Sequence, residues 1–233
     1  MLPAGFQLCF YQWRCPTTGV PFSARFGVEV ALADSIEDRF GVPPHMLAGA
    51  NQIRVGGQDD LRLLATRGIV VDGNGLRVDY SSIASESASV LVPLAQHLIS
   101  QIGVVADARA KVAAIVGLAQ AIRYEIPEDS ANGTGKLSFR TPLAMLTRGA
   151  GDCDSKVCLA AAMIRAVGLA KVALVGGRQH ALLGVAIPTR SGDAAIGLDG
   201  TTYVVTETTV LVPIGSCSAN EINFGSEFSA LEI

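Results

Sequence analysis

The sequence predicts an α+β fold, with helices packed on an antiparallel sheet and a β-rich stretch ahead of them. Three observations carry this. From Ser81 to about Val167 apolar residues recur at helical spacing. After Gly168 the pattern changes to short branched runs broken by Gly, Pro and Asp turns. Before Ser81 aromatic and branched residues alternate as in strands. Helices followed by strands in separate blocks are the α+β signature. The change of pattern divides the chain into a β-rich N-terminal accessory region, 1–80, and a main domain, 81–233.

In the accessory region, Phe6 to Trp13 and Pro21 to Ala33 read as strands. Val42-Pro43-Pro44-His45 is a turn or a helix start, with His45 exposed in it. Asn51 to Val55 fits a short strand, and Asp59 to Thr66 a short helix with an acidic first turn. Gly68 to Tyr80 is a hairpin with Asp72-Gly73 and Asn74-Gly75 at its tip. This region carries no evident chemistry, no repeat and no low-complexity linker.

In the main domain, Leu91, Leu94, Ala95, Leu98, Ile99 and Ile102 form a helical stripe that Gly103 ends. His97 falls off that stripe and is expected in solvent. Asp107 caps the next helix, which runs to about Tyr124. Pro127 to Gly135 is a polar loop placed to border a cleft. Thr141 caps a short helix with Pro142 at its first position.

The pivotal stretch is Gly149-Ala150-Gly151-Asp152-Cys153-Asp154-Ser155-Lys156, which leads into the apolar run Val157 to Val167. Asp152 is an N-cap candidate, because its carboxylate can accept orphan N–H groups of the first turn. Cys153 then lies in that turn, where the positive end of the helix dipole favours a thiolate. Apolar residues surround most of this helix, so the core should hold the reactive end in place. The plainer alternative is a buried structural Cys. Cys158 lies on another face and reads as core.

A cysteine nucleophile needs a base, and the base needs an orienting group. The chain has three histidines. His180 opens the strand running to Ile187, beside Gly176-Gly177. Strands at Ala170 to Val175, Ala194 to Leu198 and Thr202 to Thr206 complete the sheet, and the tail after Val212 is left to an edge or a partner. Two acids follow the histidine. Asp199 precedes Gly200 between strand-like residues, the mark of a hairpin turn. Glu207 ends the next strand and is the candidate to orient His180.

These pieces resemble the transglutaminase-like cysteine hydrolase superfamily, including its bacterial members with a papain-like core. The resemblance rests on Gly151-Asp152-Cys153, on His180-Ala181-Leu182, and on Tyr203 through Glu207 to Thr209. It extends to Leu118–Tyr124, similar to the family's helix ending in an aromatic, and to Arg140–Leu146, similar to its Thr-Pro helix before the nucleophile. It covers Ser81 to Ile214. Two positions depart from the family: it usually has Asp where Glu207 stands, and often an aromatic where Leu182 stands.

The resemblance implies a papain-like or transglutaminase-like core and a triad of Cys153 as nucleophile, His180 as base and Glu207 as orienting acid. It also implies a thiol-dependent hydrolase or acyltransferase acting on amide bonds of a protein or peptide, with a cysteine protease or amidase favoured, and it calls for no metal or organic cofactor. Gln120 could add a side-chain donor to an oxyanion hole; the alternative is a solvated helix glutamine. Rival readings are a protein-glutamine transamidase, a non-catalytic binding module of the same fold, and a structural domain in which Cys153 and His180 never meet.

Composition narrows the classes. Hydrophobic residues make up 49% and charged residues 17%, yet no run approaches the ~20 apolar residues of a membrane span. A large core or a sticky partner surface, a second copy of the chain included, accounts for the hydrophobicity. The net charge of −3 and the lack of a basic cluster argue against nucleic acid. No export signal opens the sequence, so a cytoplasmic location is expected. The five cysteines show no metal-ligand spacing, and Cys9 with Cys15 is the one local pair that could bridge.

Overall fold

Residues 3–49, 52–72, 75–103, 106–127, 135–176, 180–217 and 229–233 are described in a computed structural model of the chain. The fold is mixed α+β. The chain begins with β1 (Phe6–Arg14) and β2 (Pro21–Glu29), an antiparallel ribbon, then α1 (Val30–Arg39). A 3-10 turn at Pro44–Met46 leads to β3 (Leu47–Gly49) and β4 (Gln52–Ile53). Next come α2 (Gln58–Thr66) and the hairpin of β5 (Ile69–Asp72) and β6 (Gly75–Val78), whose tip, Gly73-Asn74, lies outside the described residues.

The strand expected to run to Ala33 stops at Glu29. Glu29 pairs with Phe6, the first residue of β1, so the ladder runs out of partner there. The chain then turns helical and buries Ala33 and Ile36, three apart. The described residues before Tyr80 thus include the helices α1 and α2 as well as hairpins.

The helical layer comprises α3 (Tyr80–Ser100), α4 (Ala108–Ala121), α5 (Pro142–Arg148) and α6 (Cys153–Ala166). Asp79 caps α3 through Ser82 N, and Asp107 caps α4 through Ala110 N. The helix expected to reach Tyr124 ends sooner. Ile122 turns extended, and β7 (Arg123–Tyr124) pairs in parallel with β8 (Ala150–Gly151), matching Tyr124 to Gly151. A two-residue bridge to a strand far along the chain leaves no periodic trace in the sequence.

The main sheet has the order β11-β12-β10-β9-β13, antiparallel throughout. Its strands are β9 (Val172–Gly176), β10 (Ala181–Val185), β11 (Ala195–Leu198), β12 (Thr201–Thr206) and β13 (Ser229–Glu232). The tail strand β13 lies along β9, from Ser229 opposite Gly176 to Glu232 opposite Ala173.

Helix α6 is the centre of the packing. It touches α3, α4 and α5 on the helical side and β9 and β10 on the sheet side. Every residue from Ser155 to Ile164 is buried, so no face of the helix is left to solvent. One apolar cluster runs from Trp13 and Phe22 of the ribbon through Leu98, Ile115 and Leu159 to Val185 of the sheet. The first 80 residues therefore share a core with the rest. Cys9 and Cys15 are both buried, and all five cysteines are free, so that pair is not bridged. Among the described residues no helix is long and apolar enough to cross a membrane.

Candidate active site

Cys153 is positioned by the turn before it. Glu37 of α1 accepts hydrogen bonds from the Thr141 amide (3.0 Å) and hydroxyl (2.7 Å), so it caps α5 in place of the Thr141 side chain. Gly149 ends α5 in the left-handed region, φ +68. Gly151 must be glycine for another reason: a Cβ there would land on the Met145 sulfur and crowd Ser155. Asp152 then caps α6, its Oδ1 accepting from the Ser155 amide at 3.3 Å and from the Ser155 hydroxyl. Cys153 follows in the first turn, partly exposed at the N-terminal end of α6.

His180 precedes β10, and Glu207 follows β12. These strands pair with Leu183 opposite Thr206, which brings the start of one beside the end of the other. His180 Nε2 and Glu207 Oε2 are 2.7 Å apart. Glu207 Oε1 accepts from the Thr208 amide (2.7 Å), the Thr209 amide (2.6 Å) and the Thr209 hydroxyl (2.7 Å). The extra methylene of Glu is absorbed here, because the carboxylate curls back onto the backbone that follows it. Asp199 is elsewhere. With Gly200 it makes the two-residue turn between β11 and β12, at φ +46 and +76.

The electrostatics follow from these contacts. Hydrogen bonds to Cys153 and then to Glu207 raise His180 to about 10 against the opposing effect of burial, which favours the cationic ring at neutral pH. Burial works against the Glu207 charge, but His180 and Thr209 outweigh it and hold the carboxylate below its usual range. With Nε2 given to Glu207, Nδ1 is the ring nitrogen left for the Cys153 sulfur.

The other residues singled out in the sequence fall as follows. Gln120 is 6% exposed, not solvated. Both its amide hydrogens are engaged, one on the Glu207 carbonyl at 2.9 Å and one on the Val212 carbonyl at 3.1 Å, so it ties down the segment that carries the acid. Leu182 faces a small buried cluster with Val175 and Val205, not the groove. His45 and His97 are exposed. Of the loop from Pro127 to Gly135, residues 128–134 lie outside the described residues, as does Gly177.

Three features were not anticipated. Lys156 is fully buried, and its ammonium donates to the Ile122 carbonyl at the end of α4. Burial lowers it to about 8, with Glu207 pulling the other way. A lone lysine entering an apolar helix was the available signal. Asp154 accepts from the Tyr80 hydroxyl at 2.7 Å, and burial followed by the charge of Asp152 pushes its carboxyl well above the usual range. Tyr124 is 47% exposed, and burial and then Cys153 raise its phenol.

A groove of about 480 Å³ opens beside the pair, lined by His180, Glu207, Thr209, Val210, Val212, Ser216 and Cys217. Val210 is 55% exposed there. Among the described residues no group of three or more His, Cys, Asp and Glu is placed to hold a metal ion. The site presents a partly exposed thiol, an imidazole and a fixed carboxylate. In comparisons with known proteins, no family model, curated protein or solved structure matches the chain.

Proposed function

We propose that this chain is a thiol-dependent hydrolase of amide bonds in peptides or proteins, a cysteine peptidase or amidase of the transglutaminase-like kind. The observation that carries this reading is one imidazole held between Cys153 and a buried, triply hydrogen-bonded Glu207. That is the arrangement of an activated nucleophile, its base and an orienting acid.

In this reading the Cys153 sulfur attacks the amide carbonyl carbon, and a C–S bond forms. The charge that develops on oxygen meets the Cys153 N–H, which as a first-turn amide has no acceptor within its own helix. His180 gives its proton to the leaving nitrogen as the C–N bond breaks. Water then attacks the thioester, His180 takes a proton from it, the C–S bond breaks and the acid departs. Glu207 keeps Nε2–H fixed throughout. Hydrolysis is placed before transamidation because water reaches any open groove, whereas an amine acceptor needs a site of its own.

The test is covalent labelling with peptide-derived acyl electrophiles, read by intact mass and peptide mapping. Single-site labelling of Cys153 that is lost in Cys153→Ala and falls at least tenfold in His180→Ala is expected. Equal labelling in His180→Ala, or preference for Cys217, would overturn the reading.

A further inference from the structure

A second cavity, larger than the groove at about 580 Å³, is lined by a different set of residues. None of Cys153, His180 or Glu207 lines it. Its size lies within the usual range of small-molecule sites, about 300–1,000 Å³. The ribbon supplies one wall with Phe22, α4 a second with Ala113, and the segment after Glu207 a third with Ile214. Phe22 and Ile214 are otherwise nearly closed off, at 5% and 8% exposure.

The charges around this cavity divide into a buried pair and an exposed pair. Arg109 is committed. It holds both Asp193 oxygens and also donates to the Ile214 carbonyl (3.1 Å) and the Pro188 carbonyl (3.0 Å), with the Arg109 and Asp193 side chains 11% and 9% exposed. Arg190 lies at the solvent side. Its guanidinium meets Asp107 at 2.9 Å, with both side chains 59% exposed. An exposed pair of this kind contributes little. Asp107 also has other work: it caps α4, accepting from the Ala110 amide at 2.8 Å, and keeps that role if Arg190 turns away. The Arg190 amide donates to Asp193 at 2.6 Å, so its backbone is anchored where its side chain is free to exchange partners.

We propose that this cavity is a binding site for a carboxylate carrying a linear apolar chain, with the chain between Phe22, Ala113 and Ile214 and the carboxylate on Arg190. A guanidinium fork matches a carboxylate in two parallel hydrogen bonds. The apolar walls match a chain of methylenes, whose removal from water supplies the affinity. A ligand so held lies away from the nucleophile, so it is not the bond that Cys153 would attack. The site stands on its own residues and does not depend on the activity proposed above.

The experiment uses the whole chain and decanoate as probe, with decanol and decyltrimethylammonium as head-group controls, measured by calorimetry. The single tryptophan gives a second readout, because Trp13 stacks on Phe22 at 5.5 Å. Saturable binding of decanoate with a change in Trp13 emission is expected, at least tenfold tighter than decanol, with no binding of the ammonium. Arg190→Gln should remove most of that preference, and Ala113→Phe should fill the cavity and abolish binding. Failure of decanoate to bind, equal binding of all three probes, or unchanged binding in a folded Ala113→Phe would overturn the assignment. Should Ala113→Phe not fold, Arg190→Gln and the head-group series decide it.

Discussion

His180 Nε2 and Glu207 Oε2 lie 2.7 Å apart, and the other carboxylate oxygen of Glu207 is held by three donors from the two residues that follow it. The acid cannot swing to another partner without losing those bonds, so it fixes both the direction and the tautomer of the imidazole. Glu207→Gln keeps the shape and removes the charge. It should lower turnover of an amide substrate at least tenfold, roughly 1.4 kcal/mol of barrier. Asp199→Asn, in a turn away from the site, should change it less than twofold. The comparison is of kcat/KM for the two variants, and a reversed order would transfer the orienting role to Asp199.

The same pair predicts how stability depends on pH. The folded value of His180, about 10, lies above its ordinary 6.5, so its contribution is whole below 6.5 and fades as pH rises to about 10. Glu207 is lowered from its ordinary 4.5, so its contribution is whole above 4.5 and is lost as pH falls through its lower folded value. The melting temperature of wild type minus that of His180→Gln should therefore be greatest between about 4.5 and 6.5, and should shrink steadily toward pH 10. A difference that grows with pH would contradict the ion pair.

Gln120 predicts a coupled loss. Gln120→Leu fits the space but leaves the Glu207 and Val212 carbonyls without their buried donor, which costs about 1–3 kcal/mol. Chemical denaturation should show that loss. Labelling of Cys153 should slow as well, because the segment bearing Glu207 loosens. A variant destabilised by that amount but with unchanged labelling would make Gln120 a purely structural residue.

The groove predicts selectivity at one position. His180 delivers the proton to the leaving nitrogen, so the leaving group lies on the His180 side, where Val210 and Val212 form the wall. Leaving amines with an apolar side chain should be preferred over glycine amide. Val210→Asp should reduce that preference several-fold in kcat/KM while leaving the glycine substrate nearly unchanged. Equal loss for both would mean that Val210 acts on the fold and not on selectivity.

What could be read from the sequence was local chemistry. Asp152 as a cap, the glycines on either side of Ala150 and the Asp199-Gly200 turn each act within a few residues, and each is where its residue type suggested. The relation of His180 to a strand start and of Glu207 to a strand end was legible from the runs of strand-forming residues and from the spacing of the family the chain resembles. What could not be read depended on distant partners. The end of α4 is set by Tyr124 pairing with Gly151, and the cap of α5 comes from Glu37, about a hundred residues earlier. The burial of Gln120 depends on two carbonyls beyond the sheet. The burial of Lys156 depends on the Ile122 carbonyl at the end of α4, a partner 34 residues away.

That enclosure makes α6 a built-in clock. Two thiols sit on it five residues apart. Cys153 is reachable in the native state, whereas Cys158 has 0% exposure and is walled in by the core. A reagent in solution meets Cys158 only when the helix is released, and a helix packed by three others and two strands comes free only as the whole molecule opens. Trapping of Cys158 with an excess of alkylating agent then measures how often the chain unfolds globally, molecule by molecule and without denaturant. Cys153 in the same tube reports whether the native site is intact.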